Sequence, residues 1–470
     1  MPEQSIRNKV TRTLLPCFSL LPMFLISPVA SGQTWHNLGR GVNNEFNNAV
    51  VYSISCDTTH DMVYAGGSFD TAGGITARYI ASWNGLQWDS LGGGMNAPIQ
   101  ATLFYNDTLY AGGDFTMAAG ISLSNHCDSS IYASHIARWT GTQWDTLGSG
   151  LNGSVYALGL FNGKLYAGGS FTRSGSKQVS HIAVWNGVQW DSVGNGFNSD
   201  VYSITVWNGS LCAAGNFDSS GTASANHVAQ WNGSAWMALG KGLNGYVNAL
   251  MPYRGLLYAA GNFDTAGGIT ADYIAAWNGS AWDTAGPGVN QEASALDTNR
   301  GLLYAGGYFT TAGNKTVNGI ASWNGVQWDS LSAGVGAGSI AAIASYKASI
   351  LAGGNFSTAG YIAANSIAFW DTGGGLFVPE INTGREQTNV FPNPNKGVFT
   401  LHYDWQTGNE TIRIEIYDML GQLICSLTSK GDSSGQTVID VSSQPAGVYL
   451  YRALDRSGGL IGQGKFVIIR

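Results

Sequence analysis

The sequence is poor in charge. Only 11% of its 470 residues are Asp, Glu, Lys or Arg, about half the share of an ordinary soluble domain. The net charge is −7, and Lys and Arg form no stripe. Nucleic acid is therefore not an expected partner, because phosphate binding needs clustered cations. Proline is scarce, at 11 residues, against 66 glycines. With no G-X-Y period, that glycine is not collagenous. No apolar run is long enough to span a bilayer, so no transmembrane segment is expected. Cysteine is sparse too. Beyond Cys17 there are Cys56, Cys127, Cys212 and Cys425, in no recognisable disulfide framework. They are expected as unpaired, mostly buried thiols. G-x-S-x-G, H-E-x-x-H, a P-loop and a GxGxxG in a βαβ setting are all missing. No catalytic residue, cofactor site or metal centre is predicted.

The N-terminus carries Arg7, Lys9 and Arg12, then an apolar run from Leu14 to Ile26 broken by Pro16 and Pro22. Small residues follow at Ala30-Ser31-Gly32. This reads as a signal peptide over 1–32, with a mature chain starting near Gln33. Export permits disulfides, although the cysteine spacing suggests none.

The strongest signal is an internal repeat. One frame begins at Trp35, Trp88, Trp144, Trp190, Trp236, Trp282 and Trp328, with spacings of 53, 56, 46, 46, 46 and 46. A period near fifty belongs to propeller-type repeats. Each unit reads as four strands. In the unit at 144–189, strand a is near 155–161, and strand b runs from Lys164 to Phe171. Strand c is Ile182 to Trp185, and strand d starts at Gln189. Asn162-Gly163 and Asn186-Gly187 read as tight hairpin turns needing positive φ. Trp185 and Trp190 are expected as diagonal neighbours on one face. Gly168-Gly169 is expected to make room for the two indoles.

Seven strands of each of types a, b and c can be counted, but strand d is missing after Trp370. A strand of the d type stands at Thr34-Trp35-His36-Asn37-Leu38. The sequence thus predicts an all-β fold: a seven-bladed β-propeller over 33–371, closed by the N-terminal strand, then a small antiparallel β-sandwich. Closure hides sheet edges that would otherwise invite aggregation. The phrases YAGGxF and IAxWNGxxW resemble kelch-like repeats, and are closer still to the propeller repeats of the Rax2 family. That resemblance covers residues 34–371 and implies a fold, since propellers host many functions.

After Asp371 the repeat stops, and residues 372–387 read as a linker. Residues 388–470 alternate apolar and polar positions, as at Ile412, Ile414 and Ile416, and read as a small sandwich. Four ordered segments carry a second resemblance. They contain Pro392, Asn393, Pro394 and Gly397; then Tyr417, Asp418 and Gly421; then Gly447 and Tyr449; and lastly Lys465. They resemble the C-terminal sorting domain, type A, of the type IX secretion system of Bacteroidota. The resemblance implies the secretion machinery as a partner, passage across the outer membrane, and a cell-surface or extracellular location. The plainer alternative is a fibronectin-like sandwich.

Candidate sites are few. Trp-Asp recurs at Asp89, Asp145, Asp191, Asp283 and Asp329, which suits a structural hydrogen-bonding role. His135, His181 and His227 share a repeat position with Tyr79 and Tyr273, which suggests stacking. Asp70, Asp218 and Asp264 follow strand b, without a known calcium pattern. The loop after Phe115 has twenty residues where other units have ten, and it contains His126-Cys127-Asp128. Those residue types suit zinc or copper, but no paired spacing supports a site, so a partner-binding loop is the better reading. The d–a and b–c loops must emerge on one face. The expected ligand face there carries Phe46, His126 and Tyr132. The leading expectation is a non-enzymatic binding or adhesion module for an unidentified glycan or protein. The alternative is a glycan-acting lyase or oxidase on the same scaffold.

Overall fold

The computed structural model describes residues 33–46, 48–118, 131–336, 338–372, 388–391, 395–403, 411–418, 423–430, 436–454 and 460–469. The predicted signal segment and all but the first residue of the predicted linker lie outside the described residues. Every element described is a β-strand.

Between Trp35 and Asp371 one four-stranded antiparallel sheet recurs seven times, with strand order a-b-c-d. In the third sheet these strands are Val155–Phe161, Lys164–Gly169, Ile182–Trp185 and Trp190–Ser192. The first strands of successive sheets lie against one another: Val50–Asp57 packs on Ile99–Tyr105, and that strand on Val155–Phe161. The series continues to Ser339–Tyr346, which packs on Val50–Asp57. The repeated propeller-type sheet is thus observed. The last sheet takes its outer strand from the N-terminus, with Trp35 opposite Trp370 and Asn37 opposite Ala368.

Local chemistry explains each unit. Asn162 and Gly163 make the predicted two-residue turn, with φ of +50° and +71°. The c–d connection differs from expectation. Trp185 is directly opposite Trp190, so four residues rather than two form the turn. The Asn186 Oδ1 accepts the N–H groups of Val188 and Gln189 at 3.0 Å each, so a side chain replaces part of a backbone turn. The indoles are therefore direct cross-strand neighbours, not diagonal ones, 5.4 Å apart.

Each d-strand Trp also joins its sheet to the one before. The Trp190 indole N–H donates to the carbonyl of Leu147 at 3.2 Å. Trp88, Trp144, Trp236, Trp282 and Trp328 do the same to Leu38, Leu91, Val193, Leu239 and Ala285. Trp35 donates to Leu331 at 2.9 Å. The middle of strand b is a fully buried alanine in all seven sheets, from Ala65 to Ala352. That small side chain lets the sheets stack face to face at core density.

The glycine pair does not serve the indoles. A Cβ on Gly168 would stand 2.5 Å from Val201 Cγ1 of the next sheet, and one on Gly169 would stand 2.0 Å from the Ser154 carbonyl oxygen. The first glycine admits the neighbouring sheet. The second admits the chain's own backbone, because strand a is bulged there: Val155 is opposite Gly169, but Ala157 is opposite Gly168. The expected cause was wrong because the two faces of strand b were assigned without the bulge.

The d–a and b–c segments are not free loops. In the first sheet Val42–Asn43 pairs with Thr71–Ala72, which forms a small hairpin with Ile75–Thr76. Equivalent pairings join Val335–Gly336 to Thr358–Ala359, and Leu243 to Ala266. Asn152 fastens the third such pair, its Oδ1 accepting the N–H groups of Thr172 and Arg173. Both segments emerge on one face, as expected.

The C-terminal region forms two sheets. One contains Thr388–Phe391, Val398–Tyr403 and Gln436–Asp440. The other contains Leu423–Lys430, Thr411–Tyr417, Gly447–Leu454 and Leu460–Ile468. Ile412, Ile414 and Ile416 join Phe399, Tyr449 and Phe466 in one core. No helix among the described residues is long and apolar enough to cross a membrane.

Candidate functional site

The bulge of the third sheet recurs in every sheet, one or two residues into strand a. A bulge leaves one residue unpaired and re-aims its side chain. The residues so placed are Tyr52, Gln100, Tyr156, Tyr202, Asn248, Ser294 and Ala341. They stand where the seven adjacent first strands begin, at the end from which the d–a and b–c segments emerge. Beside them lie the residue preceding strand a and the residue following strand b, bonded through the backbone. The N–H groups of Asp114, Asn262 and Tyr308 donate to the carbonyls of Pro98, Tyr246 and Glu292.

These side chains meet across sheet boundaries. Tyr156 and Tyr202 lie 5.6 Å apart between ring centres, and Tyr202 and Tyr246 lie 6.4 Å apart edge to face. The Tyr246 hydroxyl donates to Glu292 Oε2 at 3.1 Å, and the Asn248 amide donates to Oε1 at 2.8 Å. Gln100 donates to Asp114 at 3.0 Å. Tyr308 is 56% exposed and lies within electrostatic reach of both Tyr52 and Tyr246. Burial first, and then the nearby Asp200, push the Tyr202 phenol up to about 12. Burial and Asp114 likewise push Tyr52 up. These phenols keep their protons, and Tyr202 shares its proton in a hydrogen bond with Asp200. The cluster offers ring faces, hydroxyl donors, carboxylate acceptors and amides at one place.

Phe46, on the expected ligand face, is 73% exposed on a loop tied by Asn44, whose Oδ1 accepts the N–H groups of Phe46 and Asn48. Tyr132 is 83% exposed and pairs with Met117 in the b–c hairpin of the second sheet. The extra residues are inserted between the two strands of that hairpin, and His126 and Cys127 lie outside the described residues. Tyr361, in the b–c hairpin of the last sheet, is 91% exposed and was not anticipated. No contact joins Phe46 to Tyr132 among the described residues.

Other expectations resolve locally. Asp145 pairs with Arg138 at 2.6 Å, Asp191 with Lys177, and Asp283 accepts the Thr284 N–H, as suits a structural role. The His181 position is chosen by backbone rather than stacking. His135, His181, His227, Tyr79 and Tyr273 all have φ between +63° and +71°, and Gly319 and Ser366 fill the same place. The N–H of each donates to the carbonyl of the preceding Phe, as His181 does to Phe171 at 2.8 Å. Asp218 and Asp264 accept the amides of Asn198 and Asn244 at 2.6 Å. Cys56, Cys212 and Cys425 are free thiols. Burial pushes the first two up to about 12.

On the opposite face, a cleft of about 370 Å³ is lined by Asp57, His60, Tyr64, Phe104, Asp107 and Trp139 among others. Its Asp57–His60 pair, at 2.6 Å, closes the a–b turn of the first sheet. The same carboxylate accepts the backbone N–H groups of Thr59 and His60.

In the tail, Gly397 has φ +90°, and a Cβ there would stand 2.4 Å from Ser442 Cα. Asn395 is buried, and its Oδ1 accepts the Gly397 N–H at 2.7 Å. Tyr449 is buried and donates to the Pro445 carbonyl, while the Tyr417 hydroxyl donates to Glu415. Asp418 and Gly447 are half-buried, and Lys465 is exposed. Pro392, Asn393, Pro394 and Gly421 lie outside the described residues.

Two families match parts of the chain. Residues 389–468 match the secretion system C-terminal sorting domain, and residues 130–298 match the Rax2 C-terminal beta propeller domain. No curated protein matches. Among solved structures, one similar chain comes from work on PorZ, titled an essential bacterial surface component of the type-IX secretion system of Porphyromonas gingivalis. It is 12% identical with a TM-score of 0.38, over 89% of this chain and 66% of the other. The present chain therefore spans just under two thirds of that one. The sorting domain at 389–468 marks this protein for type IX secretion, to the cell surface or the extracellular space, and implies an interaction with that machinery.

Proposed function

We propose that the protein is a secreted, surface-attached binding module that acts without catalysis. Its seven sheets are the blades of a propeller closed by the N-terminal strand. Its ligand, a glycan or a protein, binds the face where the d–a and b–c segments emerge. Support for closure comes from the Trp35–Trp370 pairing and the Trp35 indole bond to Leu331. The packing of Ser339–Tyr346 on Val50–Asp57 supports it further. On this reading the domains are the signal peptide over 1–32, the propeller over 33–371, the linker over 372–387 and the sorting domain over 388–470.

One observation carries the binding reading. The repeated bulge turns a structural position into a display position, and that position holds Tyr, Gln and Asn where the first strands converge. Conserving the bulge while varying its side chain is how a scaffold presents a site. The carboxylates there are already engaged by amide and phenol partners, and the phenols hold their protons. Such a set of hydroxyl donors, amides and carboxylate acceptors suits recognition of a polar ligand. The rim adds Phe46 and Tyr132.

The test is capture of the purified chain on glycan and protein arrays, beside the double variant Tyr156→Ala/Tyr202→Ala. The variant should keep its thermal midpoint within a few degrees and lose capture. Unchanged capture by the variant places the site elsewhere.

A further inference from the structure

We infer that the ligand at this mouth is an uncharged saccharide, and that acidic glycans are rejected. The inference rests on the binding reading above and narrows its ligand class. Three features of the same residues support it.

The first is shape. Tyr156, Tyr202 and Tyr246 come from three consecutive sheets, and their planes turn by 59° and then 86°. Such an arc offers ring faces and edges at changing angles, which suits the C–H faces of pyranose rings more than a flat apolar partner. Each ring is half-buried, Tyr202 stands beside Asp200, and the Tyr246 hydroxyl bonds Glu292 and Asn262. The apolar core that a protein interface needs is not formed here.

The second is hydrogen bonding. A sugar hydroxyl both donates and accepts, so its site needs both kinds of group. The protonated phenols donate. Asp114, Asp200 and Glu292 accept. Gln100 and Asn248 do both, and each now bonds a carboxylate that a hydroxyl would share.

The third is charge. The acidic side chains acting on Tyr52, Tyr202 and Tyr246 are Asp114, Asp200 and Glu292, and the basic side chain beside them is His181, 3.5 Å from Asp200. A uronate or a sulfate entering this mouth meets like charge and must shed its water as well. An uncharged ring meets neither cost. In the seventh sheet the bulged residue is only Ala341 and strand b ends at Asn355. That sector carries the least side-chain bulk.

The experiment uses the purified full chain against two sets of oligosaccharides of equal length: neutral gluco-, manno-, xylo- and N-acetylglucosamine oligomers, and polyuronate or sulfated oligomers. Affinity is measured by calorimetry at low and at high salt. A neutral oligomer should bind with little salt dependence. Tyr202→Ala should weaken it about tenfold or more, the loss of one ring face and its hydroxyl. Tyr202→Phe should weaken it less. Circular dichroism and the thermal midpoint establish that both variants are folded. Preferential binding of acidic oligomers, weakened by salt, overturns the inference. So does neutral binding that Tyr202→Ala leaves intact. If no saccharide binds but the Tyr156→Ala/Tyr202→Ala variant loses capture of a protein, the sugar assignment fails and the mouth remains the site. If that variant loses nothing, the mouth itself is refuted.

Discussion

Closure by the N-terminal strand makes a quantitative prediction at Trp35. This residue is 5% exposed, lies 5.4 Å from Trp370, and donates its indole N–H to the buried Leu331 carbonyl. Trp190 has the same surroundings in mid-chain, with Trp185 at 5.4 Å and a bond to Leu147. Trp→Ala in a core costs about 3–5 kcal/mol. The orphaned carbonyl adds about 1–3 kcal/mol where water cannot reach it. Trp→Phe keeps most of the packing and loses the hydrogen bond, so about 1–2 kcal/mol is expected. If Trp35 closes the ring, Trp35→Ala and Trp190→Ala should agree within about 1 kcal/mol, at about 4–8 kcal/mol each. An N-terminal strand merely resting on an already stable array would give a different result. Its tryptophan would cost less than about 1 kcal/mol, as a fraying terminus does. The assay is equilibrium denaturation followed by tryptophan fluorescence, comparing midpoints at constant slope. A near-silent Trp35→Ala beside a costly Trp190→Ala refutes closure.

Other predictions follow from the same geometry. Gly169→Ala should destabilise the protein by about 2 kcal/mol or more, because its Cβ would strike the Ser154 carbonyl at 2.0 Å. Gly168→Ala should cost less, since alanine already fills that position at Ala214 and Ala260; equal costs in denaturation would discredit the bulge argument. Burial pushes the Asp297 carboxyl up to about 6, although the N–H groups of Thr298 and Ser345 hold its charged form. The folded state then binds the extra proton, so stability should fall as pH rises from about 4 to 6, by at most about 3 kcal/mol. Asp297→Asn should flatten that slope in denaturation curves taken across the window; an unchanged slope assigns it to other groups. Removing residues 388–470 should leave the sheets folded but hold the protein in the periplasm, and normal surface amounts of the truncated chain by fractionation would refute the tail's role. Shortening the 116–135 loop to ten residues should keep the thermal midpoint and weaken ligand capture if Tyr132 belongs to the site.

The parts of this fold that were legible in the sequence are those written locally. A 46-residue period, an Asn-Gly turn and a Trp at each end of the c–d turn are short-range signals, and each became the expected kind of element. The turn at Asn186 was misread by two residues because a side chain, not the dipeptide alone, closes it. The glycine pair was misread for a deeper reason. Its cause lies on strand a, some fourteen residues earlier, in a bulge that no single segment reveals. Yet a signal was present in the repeats. The second glycine stays glycine in all seven units, from Gly67 to Gly354, while the first gives way to Ala214 and Ala260. A position that tolerates a methyl group faces a side chain, which can move. A position that never does faces backbone, which cannot. Backbone pressed against strand b at that point requires an extra residue in strand a, and that residue must turn its side chain out of the sheet. The invariant glycine therefore marks the bulge, and the bulge marks the variable residue beside it. Followed through, this reasoning reaches Tyr52, Tyr156 and Tyr202 from the sequence alone, as the positions where a structural repeat is free to carry a function.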